Sequence, residues 1–168
     1  VIGQADMLDN LRGTYNEVVV AIGNNKMRLS LVKRALALGY RIATIVHPAA
    51  YVSPTARLGA GTVVFAGAVV QTGATLGMAC IVNTGATIDH DCHLGDGVHA
   101  SPGVHLGGGV EVGACAWIGI GSSVREYTRL GSYVTVGAGA AVVSDFSDNV
   151  VITGVPAQVN AKLGKDKK

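Results

Sequence analysis

From Val52 to Val142 an aliphatic residue recurs at every sixth position: Val52, Leu58, Val64, Val70, Leu76, Val82, Ile88, Leu94, Leu106, Val112, Ile118, Val124, Leu130, Val136 and Val142. Residues 52–147 form 16 hexads without insertion, and 15 of them open with Leu, Ile or Val; only Ala100 breaks the series. These three residue types make up 46 of the 168 residues, so composition alone does not generate the pattern. The fifth hexad position is mostly small, as at Ala56, Ala68, Ala74, Cys80, Ala86, Cys92, Ala116, Ser122 and Ala140. Glycine fills the second position at Gly59, Gly77, Gly95, Gly107, Gly113, Gly119, Gly131 and Gly137. A period of six predicts a parallel β-helix. Each hexad supplies a short strand and a corner, and three hexads of six residues close a triangular coil of 18, giving about five coils. The aliphatic residue points inward, and the glycines are expected at turns where φ is positive. Stacked coils bury a continuous core that no single coil buries alone.

The flanks obey different rules. Glu17 to Gly23 reads as a buried strand, Met27 to Leu38 as a helix with Leu31, Ala35 and Leu38 on one face, and Gly39 as its stop signal. Tyr40 to His47 reads as a second strand. This unit predicts half of a doubly wound, Rossmann-like nucleotide-binding sheet. Val1 to Arg12 reads as the remnant of a preceding strand and a short helix, and Pro48 and Pro54 mark the crossing into the repeats. Asp148 to Gly154 reads as a last strand. The expected organisation is therefore a partial nucleotide-sugar-type α/β unit at 1–51, a β-helix at 52–147, and an exit strand and tail at 148–168.

A formal net charge of +2 argues against nucleic acid as a partner. Lys162, Lys165, Lys167 and Lys168 read as a solvated tail. Cys80, Cys92 and Cys115 are an odd set of structural thiols suited to a reducing compartment. No signal peptide or apolar run of transmembrane length is found. The chain starts at Val1 rather than Met, which implies an upstream segment.

Four of the five histidines, His90, His93, His99 and His105, fall within 16 residues. Metal binding is weighed first, because γ-type carbonic anhydrases use three histidines on a hexapeptide β-helix. Here His93, His99 and His105 all take the sixth hexad position and successive faces, so they point outward about 120° apart. They do not converge within one subunit; convergence between subunits stays open. His90, in Ile88-Asp-His-Asp-Cys92, sits at a corner facing outward. An imidazole with a near-neutral pKa suits general-base work, and Asp91 or Asp89 beside it can hold its tautomer and raise its basicity.

Val82-Asn-Thr-Gly-Ala-Thr-Ile-Asp-His-Asp-Cys92 with His99-Ala-Ser-Pro-Gly103 resembles the family of sialic acid O-acetyltransferases and bacillosamine-pathway UDP-4-amino-sugar N-acetyltransferases. So do Val20-Ala-Ile-Gly-Asn-Asn25 with Arg28, His47-Pro48 before the first coil, and the exit segment Gly154-Val-Pro-Ala157. The resemblance spans nearly the whole chain and implies a mainly β fold, a left-handed parallel β-helix behind the α/β unit. By it, His90 is the general base and Asp91 the acid that raises its basicity. His99 contacts the acetyl group of acetyl-CoA, Ile120 and Ala138 line the CoA groove, and Gly23 meets the nucleotide sugar. The family's opening strand with its Gly-x-x-Gly-His loop and the later acidic pair do not occur here.

The implied reaction is acetyl-CoA-dependent N-acetylation of a UDP-linked 4-amino-4,6-dideoxy sugar, without a covalent acyl-enzyme or a metal. Backbone amides in the corner Gly107 to Gly109, with Gly108 at its centre, are candidates to contact the cofactor's carbonyl as oxyanion donors. The resemblance further implies a cytoplasmic homotrimer with sites between subunits, in some members fused to a membrane phosphosugar transferase and so held at the cytoplasmic face of the inner membrane. The alternatives are O-acetylation of sialic acid or a related sugar, a zinc hydratase of the γ-carbonic-anhydrase type, and a non-catalytic assembly β-helix.

Overall fold

The computed structural model describes residues 5–162. Two-residue strands recur with the hexads from Ile45–Val46 to Ala141–Val142. They stack into three parallel sheets, the sides of a triangular solenoid. The first face runs from Tyr51–Val52 to Ala141–Val142 in six strands, and the second from Arg57–Leu58 to Arg129–Leu130 in five. The third runs from Ile45–Val46 through Thr135–Val136 to Val150–Thr153, then gains the antiparallel strand Gln158–Lys162. Register is maintained throughout, with Thr87 opposite His105 and His105 opposite Ser123.

The first hexad position forms the core as the pattern requires. Val64, Val70, Val82, Ile88, Leu106 and Ile118 are all at most 2% exposed, each contributing about 1.5–3 kcal/mol by burial. The break at Ala100 is compensated nearby: the fifth positions Val98, Val104 and Val110 carry valine instead of a small residue, and all are fully buried. Core volume is thus conserved as close packing demands.

The expected role of the second-position glycines needs correction. Positive φ falls instead on the fourth position, at Gly61, Gly73, Gly97 and Gly109, and also at Ala79, Asp91, Cys115, Tyr127 and Tyr133. Second-position glycines are required because coils approach closely there. A Cβ on Gly59 would lie 2.6 Å from the backbone nitrogen of Met78, one coil on.

The N-terminal unit differs from its expected form in three respects. The first strand is only Glu17–Val18, paired in parallel with Arg41–Ile42; it is not buried, because this two-stranded sheet leaves Val19 46% exposed. The strand read over 40–47 is divided. Arg41–Ile42 stays in the small sheet, while Ile45–Val46 joins the third face and makes about six coils rather than five. The helix spans Asn25–Ala37, with Asn24 accepting from the Met27 N–H as its cap. Its buried face is Arg28, Leu29, Val32 and Ala35, while Leu31 and Leu38 are half-buried. That face packs against the solenoid corner at Ala79 and Cys115. Near the start of the chain, a 3-10 turn at Ala5–Met7 leads into a short helix at Leu8–Leu11. Val1 to Gln4, Lys165, Lys167 and Lys168 lie outside the described residues.

Arg28 is 1% exposed yet fully partnered. Its Nε donates to Ala79 O at 2.8 Å, Nη2 to Gly97 O at 2.9 Å and to Asn25 Oδ1, and Nη1 to Ile22 O and Gly23 O. Asn25 Nδ2 donates to the carbonyls of Cys115 and Ala116. Two side chains therefore fix the Gly23 loop and the helix start against three successive coils.

Candidate active site

His90 and Asp91 occupy the corner between the first and second faces. His90 Nδ1 donates to Asp91 Oδ2 at 2.9 Å, while the His90 backbone N–H donates to Asp89 Oδ1 at 2.7 Å. Asp91 therefore holds the ring and Asp89 the backbone. With Nδ1 carrying the proton, Nε2 keeps a free lone pair. The Asp91 hydrogen bond, aided by the charges of Asp89 and Asp91, raises the imidazole pKa above its ordinary value. Asp91 adopts φ 57°, a left-handed conformation that aspartate tolerates better than most residues.

Two glycines make room for this pair. One coil before, a Cβ on Gly73 would collide with Asp91 Oδ1. One coil after, a Cβ on Gly108 would collide with His90 Nε2 and lie 2.6 Å from Cε1. The amides of Gly107 and Gly109 are engaged by Val124 O and His90 O. The Gly108 N–H makes no hydrogen bond among the described residues, which narrows the expected Gly107–Gly109 donor set to Gly108.

On the outside of the third face, His99, Trp117 and Thr135 stand in register. The His99 and Trp117 rings are parallel within 4°, 6.0 Å between centroids. Trp117 Nε1 donates to Ser101 Oγ at 2.8 Å. Asn83 Oδ1 accepts from the Thr84 N–H at 2.8 Å, so its Nδ2 must face His99 Nε2, 3.2 Å away. The amide can only donate there, which puts the His99 proton on Nδ1. That atom is buried and has no hydrogen-bond partner among the described residues. Burial, with the Arg28 charge second, lowers the His99 pKa to about 4, so the ring is neutral.

Two hollows flank this ridge. A groove of about 350 Å³ is lined by His99, Ser101, Pro102, Trp117, Ile120 and Ala138. A larger cavity of about 950 Å³ carries Gly23, Asn24, Asn25 and Lys26 from the N-terminal unit, with Tyr133 and Asn149 from the solenoid. His99, Trp117 and Thr135 line both. The Lys26 ammonium stands 5.0 Å over the Tyr133 ring.

The expected site residues thus fall into two groups. His90, Asp91 and Gly108 meet at one corner. His99, Ile120 and Ala138 meet on the third face and its corner with the first, with Gly23 on the adjoining cavity. One chain does not bring the groups together. His93 and His105 are exposed, and their Nδ1 atoms contact Asp91 O and Thr87 Oγ1. His93, His99 and His105 lie on three different sheets, and no group of three His, Cys, Asp or Glu among the described residues is placed to hold a metal. All three cysteines are free and buried, and burial pushes Cys80 up to about 12 and Cys92 to about 11. No helix among the described residues is long and apolar enough to cross a membrane. Trp117, Lys26, Tyr133 and Asn149 were not foreseen as site residues. Trp117 was the accessible one, being the lone tryptophan at an outward sixth position.

No family model and no curated protein matches the sequence. Solved structures do. The acetyltransferase domain of PglB from Neisseria gonorrhoeae, in complex with acetyl coenzyme A, is 45% identical with a TM-score of 0.92, over 95% of this chain and 78% of that one. PerB from Caulobacter crescentus, in complex with CoA and GDP-perosamine, is 40% identical with a TM-score of 0.94, over 96% of this chain and 78% of that one. WeeI from Acinetobacter baumannii, 22% identical with a TM-score of 0.72 over 87% of this chain and 71% of that one, shares the fold. The solenoid is the left-handed β-helix of acetyltransferases. The chain belongs to the hexapeptide-repeat sugar acetyltransferases.

Proposed function

We propose that the protein transfers the acetyl group of acetyl-CoA to the 4-amino group of a nucleotide-linked 4-amino-4,6-dideoxy sugar, with UDP as the nucleotide. The observation that carries this reading is the His90 corner. It pairs a base whose Nε2 is free with a backbone donor, Gly108 N–H, that has no partner among the described residues. The sugar amine attacks the thioester carbonyl. His90 Nε2 accepts the amine proton as the C–N bond forms, and the Gly108 amide supports the oxyanion. The C–S bond then breaks, and the proton on His90 returns to the departing thiolate. Asp91 stabilises the imidazolium between these steps.

The division of the site supports a homotrimer in which His90 of one copy faces the groove of the next. His99 lines that groove beside the acetyl group, and Ile120 and Ala138 take the pantetheine arm. Gly23 and the helix start take the nucleotide sugar, since a helix N-terminus favours phosphate. A cytoplasmic setting follows from the use of acetyl-CoA. Association with a membrane phosphosugar transferase is supported by the likeness to a domain of the longer PglB.

Thiol release with parallel acceptors tests the substrate. UDP- and GDP-linked 4-amino sugars both belong in the assay, because PerB was solved with a GDP sugar. Turnover with the amino sugars and not with sialic acid is expected; the reverse would assign O-acetylation instead.

A further inference from the structure

Trp117 is the chain's single tryptophan, and it is 52% exposed despite lying at the centre of the site. Its indole is held at two points by the preceding coil: one face parallel to His99, and its edge tethered by Nε1 to Ser101 Oγ. A side chain fixed this way has its entropy already lost, and its open face is a preorganised apolar platform. It stands on the ridge between the two hollows and lines both.

The two hollows differ chemically. The larger cavity receives Lys26 and the N-terminus of the Asn25–Ala37 helix, which suit a diphosphate. The groove beyond the ridge is walled by Pro102, Ile120 and Ala138, which suit an apolar chain such as pantetheine. A nucleotide sugar anchored by its diphosphate in the first, and acetylated by a thioester lying in the second, must lay its hexose across the ridge.

Building on the proposed acetyl transfer, we propose that Trp117 is the platform for the acceptor's hexose ring, stacking on the apolar C–H face of the sugar and setting the reach of its amine towards the thioester. Trp117 thereby acts on acceptor affinity more than on coenzyme A affinity. The indole selects a deoxy sugar with an uninterrupted apolar face over one that presents hydroxyls to the ring.

Because Trp117 is the only tryptophan, the wild-type protein reports on this contact directly. Its emission, excited where tyrosine does not absorb, should change on titration with a UDP-linked 4-amino-4,6-dideoxy sugar and stay constant with UDP alone. Trp117→Ala should raise the KM for that sugar nucleotide by about tenfold, an aromatic contact's typical worth, and weaken coenzyme A binding by calorimetry by clearly less than that. Trp117→Phe should recover most of the loss. The proposal is overturned if UDP alone produces the whole emission change, if coenzyme A produces it and the sugar nucleotide does not, or if the acceptor KM is unmoved in Trp117→Ala. Thiol release by the same wild-type sample separates this from the underlying reading. Turnover with silent emission overturns the platform alone. An emission change without turnover supports the platform and overturns the acetyl transfer.

Discussion

Replacing Gly108 with alanine isolates the geometry of the proposed base from its chemistry. The new Cβ would stand 2.6 Å from His90 Cε1, where ordinary contact begins at 3.4 Å. The imidazole must therefore retreat by the difference, about 0.8 Å. Because the Cβ enters on the Nε2 side, that shift carries Nε2 away from the position in which it meets the amine and forces the 2.9 Å Nδ1–Oδ2 bond into a new geometry. Displacement of about 1 Å in a reacting group costs on the order of 10²-fold, so kcat is expected to fall about 10²-fold. The fold should not suffer: Gly108 has no positive φ, and the ring that must move is on a side chain 47% exposed. Reduced freedom of the unfolded chain even favours alanine by about 0.4–1 kcal/mol. The Gly108 N–H remains, so the KM for acetyl-CoA should stay within about threefold, a range set by rim-level changes in contact of under 1 kcal/mol. The assay is steady-state thiol release with thermal denaturation alongside. Unchanged kcat, or a loss found wholly in the KM for acetyl-CoA, would refute the cradle and leave Gly108 as a cofactor contact alone.

Asp91→Asn keeps an acceptor for His90 Nδ1 but removes the charge that raises the pKa. Protonated His90 is inactive, so the acid limb of the kcat/KM profile should move to lower pH while the plateau falls; an unmoved limb contradicts the pairing. His99 is neutral in the folded protein with its pKa lowered to about 4, against an ordinary 6.5. The unfolded state therefore takes up the proton first, and the stability from neutral His99 is complete above about 6.5 and lost as pH falls towards 4. Thermal melts across that window should show a shallower acid dependence in His99→Asn than in wild type. In the proposed trimer the two halves of the site come from different copies, so His90→Ala and a groove-blocking Ile120→Arg variant should regain activity when co-assembled; mixed oligomers as inactive as their parents would place the site within one chain.

The period of six made the solenoid legible, because every inward position repeats one steric demand. Hexad position also put His90 and Asp91 at an outward corner, whereas His99, Ile120 and Ala138 entered as site candidates only through the family resemblance. The glycine roles were misread because the sequence shows that a residue is small, not whether its neighbour is a backbone atom or its φ is positive; Gly59 and Gly61 differ in just that respect. The helix face was misplaced because a buried arginine does not announce itself: Arg28 is buried only because carbonyls of Ile22, Gly23, Ala79 and Gly97, distant in sequence, converge on it. Trp117 went unassigned because its value as a platform depends on Ser101 and His99, 16 and 18 positions earlier, lying beside it one coil away.

The central claim is that His90, held by Asp91, takes the proton of an attacking sugar amine. Thiol release by His90→Ala, measured with a nucleotide-linked 4-amino sugar beside coenzyme A binding by calorimetry, tests it most directly. Loss of a general base predicts a kcat lower by about 10²–10⁴-fold, with coenzyme A affinity unchanged. Turnover at the wild-type rate, or a loss explained by weaker coenzyme A binding, would contradict it.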